Sequence, residues 1–240
     1  MDKKETYRHS ELREDKINNR VEFPPTVMLN PVPAVMVSCA GTNPDRAEER
    51  PNIITIAWAG TVCSDPPMLS VSIRKHRHSH KIISSTGEFV VNLVDESLAK
   101  ACDYCGVRSG ADEDKFTECG LATLPAKGMQ FAPAIEQSPL YMSCIVKQTI
   151  ELGSHDMFIA EIISVSVKRE LINENGKICL DRSGLICYVH GDYYGLGKML
   201  GFFGYSIASP DKRKSRMKKA AEDIISARRL RRGKRKTRGS

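Results

Sequence analysis

The most informative absences in this 240-residue sequence are long apolar runs and the motifs of several common enzyme classes. No uninterrupted apolar run reaches the roughly 18 residues that a membrane-spanning helix needs, so we expect no transmembrane helix. The first residues are mostly charged and begin no apolar segment, so we do not expect a secretory signal. The glycine-rich fingerprints of dinucleotide-binding and P-loop folds and the G-x-S-x-G motif of serine hydrolases are also missing, which argues against those three classes.

The eight cysteines do not show the regular spacing of a disulfide-rich secreted domain. They are scattered through apolar stretches, which in a chain of this length favours reduced thiols and a cytoplasmic protein. Cys102 and Cys105 form a single C-x-x-C motif, but the second pair that a structural zinc site requires is absent. We interpret these thiols as helix-packing or incidental residues, with a redox-active or metal-binding pair as the alternative.

The positive charge is concentrated at the C-terminal end. Residues 211–240 contain 14 Lys and Arg against 3 Asp and Glu, whereas the rest of the chain contains 22 against 26. The net charge of +7 therefore does not indicate what the body of the protein binds. Composition divides the chain into a polar N-terminal arm at residues 1–23, a body at 24–208, and a basic helical or disordered tail at 209–240.

Apolar runs and turn signals predict a mainly β body with antiparallel strands and only short peripheral helices. The predicted strands cover residues 27–29, 34–40, 53–62, 68–73, 88–94, 140–146, 157–167 and 185–189. The predicted helices cover residues 79–85 and 96–104 and, in the tail, an apolar stripe at Met217, Ala220, Ala221, Ile224 and Ile225. A doubly wound parallel sheet would need long helices between its strands, so the pattern favours an antiparallel barrel or sandwich.

The stretch from residue 51 to residue 81 combines small, aromatic and basic residues. Trp58, the single tryptophan, lies among Ala57, Ala59 and Gly60. Small residues let a flat ring approach the backbone closely. The pattern therefore fits a ring-binding surface, with ordinary core packing of the indole as the alternative.

A dense group of donors follows the second apolar run of this stretch. Residues 74–81 read R-K-H-R-H-S-H-K and end a predicted strand where a serine can start a helix. Such a cluster suits an anionic phosphate, with a solvated turn as the alternative. We expect no metal at His76, His78, His80 or His155, because the surrounding positive charge would repel a cation.

Five motifs in fixed order give the chain a family resemblance. They read N-I-I-T-I-A-W-A-G (52–60), S-D-P-P-M-L-S-V-S-I-R (64–74), H-S-H-K-I-I-x-x-T-G-E-F-V-V-N-L (78–93), S-G-A-D-E-D-K-F (109–116) and H-D-M-F-I-A-E-I (155–162). Together they resemble the flavin reductase-like, FMN-binding split-barrel family, and within it the flavoredoxin-type branch. The resemblance covers about residues 25–205 and leaves the N-terminal arm and the basic tail outside it.

This resemblance implies a six-stranded antiparallel split barrel that acts as a homodimer, with one FMN per subunit near the dimer interface. The positions that match the family's flavin contacts are Asn52, Thr55, Ala57 and Trp58 at the isoalloxazine ring, Arg74, Ser79 and His80 at the phosphate, and Lys115, His155 and Tyr188 elsewhere near the flavin. Arg74 and a helix N-terminus capped by Ser79 would meet the phosphate dianion with charge-assisted hydrogen bonds.

The implied function is that of an oxidoreductase in which FMN takes two electrons and passes them to an acceptor. The electrons would come as hydride from NAD(P)H or, in an electron carrier, from a protein donor. The missing dinucleotide fingerprint leaves both versions open. The pyridoxamine-phosphate oxidase arrangement is a related alternative for the split barrel.

A function of a different class would assign binding of RNA, DNA or an acidic membrane surface to the basic residues at 211–238. No aromatic residues are interleaved among these charges, which favours the redox function.

Overall fold

The structure is a computed structural model that describes residues 13–15, 19–43, 45–46 and 49–222. The chain divides into two compact units, Met1–Asn30 and Pro31–Ser240. In the first unit, β1 (Arg13–Asp15) pairs antiparallel with β2 (Arg20–Glu22). The strand predicted at 27–29 does not form. Prolines at positions 25 and 31 bracket that short run, and proline cannot donate to a sheet ladder.

The second unit is built mainly of strands. They are β3 (Val32–Pro33), β4 (Val35–Cys39), β5 (Asn52–Ile56), β6 (Ala59–Ser64), β7 (Pro67–Arg74), β8 (Glu88–Leu93), β9 (Thr123–Leu124), β10 (Ala134–Ile135), β11 (Leu140–Leu152), β12 (His155–Val167), β13 (Ile186–Val189) and β14 (Asp192–Gly195). The helices are α1 (His78–Thr86), α2 (Ala99–Val107) and α3 (Lys115–Glu118), with single 3-10 turns at Arg169–Leu171, Leu180–Arg182 and Tyr205–Ile207. A further helix, α4, covers residues 210–222, where the described chain ends.

Seven strands form one antiparallel sheet in the order β5-β4-β8-β11-β12-β7-β6. The two edge strands, β5 and β6, are consecutive in the chain and are joined only by Ala57 and Trp58. Because so short a link holds the two edges together, the sheet must curl round into a barrel. The predicted antiparallel barrel with short peripheral helices is confirmed.

The run predicted as a single strand at 53–62 is divided at Trp58. Its halves, β5 and β6, lie at opposite ends of the strand order. An unbroken strand could not serve both edges, so the chain bends at this point. The six strands that the resemblance implied therefore become seven when the bent strand is counted as two.

The barrel interior is apolar and is closed by α1. Along β7 the buried residues Leu69, Val71 and Ile73 alternate with more exposed ones, as expected for a strand with one face inside. Ile82 and Ile83 of α1 pack into the same core. The helix ends at Gly87 in the left-handed conformation (φ 69°), which confirms the helix predicted there.

A second apolar cluster covers the outer face of β4 and β5. Ile53 of β5 packs there with Cys102 and Cys105 of α2 and with Phe116 of α3. Helix α2 ends at Val107, one residue after Gly106, whereas the sequence predicted that it would end before this glycine. Gly106 faces β5 closely, since a Cβ added to it would lie 3.3 Å from Cβ of Thr55. This packing brings the segment between α2 and α3 to the start of β5.

Three further expectations can be compared with the structure. The hairpin predicted around residues 151–154 is confirmed as β11 and β12. Met217 and Ala220 of the predicted apolar stripe lie half-buried on α4, whereas Ala221 is exposed. Ile224, Ile225 and the basic run that follows lie outside the described residues.

No helix in the described part of the chain is long and apolar enough to cross a membrane.

Glu88 provides a stability test of the fold. It is buried at the start of β8, and its carboxylate accepts hydrogen bonds from the backbone N–H groups of Gln130 (3.0 Å), Phe131 (2.5 Å) and Ala132 (2.6 Å). Glu88→Gln would turn an amide donor toward one of these donors. We expect the free energy of unfolding to fall by about 1–3 kcal/mol. Urea unfolding measures this, with the exposed Glu174→Gln as control, and equal losses in both variants would contradict it.

Candidate functional site

A cavity of about 100 Å³ opens where the start of β5, the start of α1 and the segment between α2 and α3 meet. We call it the cationic pocket. Its lining residues are Asn52, Ile54, His76, Arg77, His78, Ser79, Arg108, Ser109, Gly110 and Lys115. Among the residues that the structure describes, no acidic side chain lines it. The predicted site residues Asn52, Ser79 and Lys115 are therefore brought together.

Asn52 and Ser79 form the floor of the cationic pocket. Both are buried, and Nδ2 of Asn52 donates a 2.7 Å hydrogen bond to Oγ of Ser79. Ser79 was predicted to cap the helix, but the N-cap residue of α1 is Arg77, which makes no side-chain cap bond. The Ser79 hydroxyl lies inside the first turn, where it accepts from Asn52 instead. Its proton can be donated to the thiol of Cys39, which it contacts, or to a ligand in the cavity.

Lys115 is a buried cation in the pocket wall. Its Nζ donates to the backbone carbonyls of Ile53 (2.7 Å) and Cys105 (3.0 Å). An ammonium group has three N–H donors, so one remains for another acceptor. Burial, the largest cause, lowers the pKa of Lys115 to about 8, and Arg77 acts in the same direction. An anion in the pocket would stabilise the charged form.

Two arginines add to this positive charge. Nη2 of Arg77 donates to the carbonyl of Gly106 at 2.5 Å, and the pKa of Arg77 is lowered by burial and by Arg74. Arg108 lies 3.7 Å from Glu113 and 5.8 Å from the ring centroid of Tyr104. Neither arginine is among the individually predicted site residues. Arg77 lies in the basic cluster at residues 74–81, so the sequence carried a signal for it. Arg108 lies one residue before the motif at 109–116, where no pattern pointed to it.

Trp58, Arg74 and His155 form a second group beside the pocket. The Trp58 side chain is 52% exposed, which excludes the core-packing alternative. Its ring centroid lies 6.1 Å from that of His155, and His155 stands opposite Arg74 in the β12–β7 register. The pKa of His155 is lowered by burial and by Arg74 and His76. Since His76 also lines the cationic pocket, the two groups adjoin.

Three predicted site residues have side chains that contact other parts of the protein. Thr55 lies on the opposite face of β5 from Asn52, and its hydroxyl donates to the carbonyl of Cys102. Nε2 of His80 lies 2.7 Å from Oδ2 of Asp156. The Tyr188 ring packs edge-on against Tyr193 at 5.5 Å. None of the three is among the residues that line the cavity.

The arrangement fits a ligand with a flat ring at one end and a phosphate at the other. The pocket offers three cations and a hydroxyl to a phosphate dianion, and charge-assisted hydrogen bonds to such groups are strong. Trp58 presents an exposed aromatic face. Asn52 is the first residue of the five-residue strand β5, and Trp58 lies at the bend that follows its last residue. In the described part of the chain, no group of three or more His, Cys, Asp or Glu could hold a metal ion.

Comparisons with known proteins agree with this arrangement. The family described as "Flavin reductase like domain" matches residues 28–197. The structure is similar to the flavoredoxin of Desulfovibrio vulgaris (Miyazaki F), with a TM-score of 0.71 and 27% identity, covering 78% of this chain and 98% of that one.

Two curated relatives have similar sequences. An uncharacterised protein of Archaeoglobus fulgidus is 32% identical over 118 residues, which cover 49% of this chain and 66% of that protein. The reductase component of a 4-nitrophenol 4-monooxygenase/4-nitrocatechol 2-monooxygenase from Rhodococcus opacus is 26% identical over 109 residues, covering 45% and 55%. The family match and the structural likeness support flavin, as FMN, as the cofactor. With a match over most of its length, the chain belongs to the flavin reductase-like domain family.

Proposed function

We propose that this protein binds FMN between the cationic pocket and Trp58 and uses it to pass two electrons from a donor to an acceptor. The observation that carries the proposal is a pocket that brings the buried Lys115 together with Arg77 and Arg108 and has no acidic residue in its described lining. Burying the Lys115 ammonium beside Arg77 with no acidic side chain in the lining is unfavourable, and a phosphate dianion would relieve this cost.

Several residues of the cationic pocket would each donate a hydrogen bond to the phosphate. Lys115 would donate its remaining N–H, and the half-buried Arg77 and the exposed Arg108 would add charge-assisted bonds. Ser79 would donate its hydroxyl proton, because its oxygen already accepts from Asn52. These donors stand ready before the ligand arrives, so little ordering would be needed on binding.

The residues beyond the pocket would hold the ring. Trp58, which is about half-exposed, and the small residue Ala57 lie at the bend between β5 and β6 and would meet the flat ring there. His155, with a lowered pKa, would be neutral near pH 7 and would offer a ring nitrogen for hydrogen bonding. FMN, when bound, supplies the two-electron redox chemistry, and the protein supplies binding and orientation.

The electron donor is the part of the proposal that an experiment must decide. We propose NAD(P)H as donor, supported by the likeness to a monooxygenase reductase component from Rhodococcus opacus. The likeness to a flavoredoxin supports a carrier that takes electrons from a protein instead. Anaerobic stopped-flow absorbance with NADH, NADPH or reduced ferredoxin separates the two. Bleaching by a nicotinamide supports the reductase, and bleaching by ferredoxin alone eliminates it.

A homodimer is the assembly that we propose. Trp58 and Val62 are both half-exposed on the bent strand, and a second copy could cover them. Light scattering of the purified protein should give twice the mass of one chain, and a monomer at micromolar concentration would contradict this.

The lowered pKa of Lys115 predicts that FMN binds more weakly at alkaline pH. The phosphate would raise this pKa above about 8, so binding takes up a proton once the free protein begins to lose it. Above pH 8 the dissociation constant should rise by up to about tenfold per pH unit, until the pKa of the complex is passed. Fluorescence titrations at pH 7, 8, 9 and 9.5 measure this.

In the protein without FMN, Lys115 makes the fold more stable at alkaline pH, whereas it makes FMN binding weaker there. Burial disfavours the charged ammonium of Lys115 and so lowers the free energy of unfolding below pH 8. This destabilisation is relieved as the pH rises from about 8 to 10.5. An FMN dissociation constant that stays constant from pH 7 to 9.5 would contradict the prediction, and in Lys115→Met the dependence should disappear.

A further inference from the structure

Cys105, the second cysteine of the C-x-x-C motif, lies close to a cysteine outside that motif. Sγ of Cys105 in α2 lies 4.0 Å from Sγ of Cys119, the residue directly after α3. Cys105 is fully buried, whereas Cys119 is half-buried. Two thiols at this distance can be joined by small side-chain rotations, because a disulfide needs about 2 Å between its sulfurs.

The segment between these two cysteines forms one wall of the cationic pocket. Arg108, Ser109, Gly110 and Lys115 all lie inside residues 105–119. Lys115 is tied to both ends of the segment. Its Nζ donates to the carbonyl of Cys105 at 3.0 Å, and its own carbonyl accepts from the N–H of Cys119 at 3.1 Å. A bond between the two sulfurs would close this wall into a loop.

We propose that Cys105 and Cys119 form a reversible disulfide that fastens the wall of the cationic pocket. The oxidant would be a low-molecular-weight disulfide such as oxidised glutathione. The Cys119 thiolate attacks one of its sulfurs, forms a mixed disulfide and releases one glutathione thiolate. The Cys105 thiolate then attacks the Cys119 sulfur, and the second glutathione leaves. The two cysteines lose two electrons and two protons, and the glutathione gains both.

The surroundings of the two thiols decide which reacts first. Burial raises the pKa of Cys105 to about 12, so its thiolate is scarce and shielded. The pKa of Cys119 is also raised by burial, but Lys115 and the bond to Cys105 lower it, and this thiol is more accessible. Since the thiolate is the attacking species, the reaction should start at Cys119 and accelerate with pH.

Trypsin can distinguish this disulfide from one within the C-x-x-C motif. Cleavage after Lys100, Arg108, Lys115 and Lys127 places Cys102 and Cys105 together in peptide 101–108 and Cys119 in peptide 116–127. Full-length reduced protein would be treated with oxidised glutathione at pH 7 and pH 9, alkylated, digested and analysed by mass spectrometry. The two peptides should appear joined, with a mass about 2 Da below their sum.

The matched variants assign the bond. The joined peptides should persist in Cys102→Ser, disappear in Cys119→Ser and Cys105→Ser, and separate when dithiothreitol is added. Cys119→Ser is the main test because the residue is only half-buried and its loss should leave the fold intact. A disulfide inside peptide 101–108, or unmodified thiols at both pH values, would overturn the proposal.

A functional consequence rests on the proposed binding of FMN. A fastened wall has fewer open conformations through which the ligand can leave. The oxidised protein should therefore lose FMN more slowly during dialysis than the reduced protein, and Cys119→Ser should show no such difference. Equal rates of loss with the joined peptides present would overturn this consequence alone, and a protein that never binds FMN would instead overturn the proposed function.

Discussion

Replacing Lys115 with methionine is expected to raise the FMN dissociation constant by roughly 100-fold, the largest effect that we predict for a single side chain. Methionine keeps the length and apolar stem of lysine but carries no charge and no donor. The variant loses a charge-assisted bond to the phosphate, which contributes on the order of 1.5–3 kcal/mol. It also leaves the buried carbonyls of Ile53 and Cys105 without the donor that they have in the structure.

The control for this variant is Lys127→Met, which removes an exposed lysine that lines no part of the cationic pocket. Flavin fluorescence titration gives the dissociation constant, and urea unfolding shows whether the variant is folded. If Lys115→Met is folded and binds FMN within about threefold of the wild type, Lys115 does not contact the phosphate.

Gly110→Ala is expected to weaken FMN binding by roughly 10- to 100-fold, because even one methyl group cannot be accommodated there. A Cβ added to Gly110 would overlap the side-chain oxygen of Asn52. Asn52 is buried and bonded to Ser79, so it cannot move aside without breaking that bond or entering the cavity. Either movement disturbs the floor of the pocket.

Gly197→Ala is the matched control, since a Cβ added at that position meets nothing within 4 Å. Both variants would be titrated with FMN after their unfolding curves have been measured. Unchanged affinity in Gly110→Ala would mean that the ligand does not enter the cavity beside Asn52. A loss of affinity in both variants would point to a general effect of the substitution.

The barrel could be predicted because its strands carry local signals. The alternation along β11 and β12, with Gly153 at the turn, identifies a hairpin, and Gly87 marks the end of α1. The division of residues 53–62 could not be predicted from the run itself, which is apolar on both sides of Trp58. It follows from closure of the sheet, which is a property of the whole chain.

The candidate site was only partly predictable for the same reason. Motif matches identified Asn52, Ser79 and Lys115, which the fold brings to one pocket. They could not show that the Thr55 hydroxyl bonds to α2, because the direction of a side chain depends on which face of the strand is covered. Arg108 and the contact between Cys105 and Cys119 depend on how the segment after α2 folds back, and local patterns carry no information on that.

Comparing the binding of FMN with that of riboflavin, which lacks the phosphate, tests most directly whether the cationic pocket holds that group. Both flavins would be titrated into flavin-free protein at pH 7.5, with quenching of the single tryptophan, Trp58, as the readout. Two or more charge-assisted bonds predict that FMN binds at least about 100-fold more tightly than riboflavin, with Trp58 quenched in both complexes. Equal affinities for the two flavins, or no binding of either, would contradict the account.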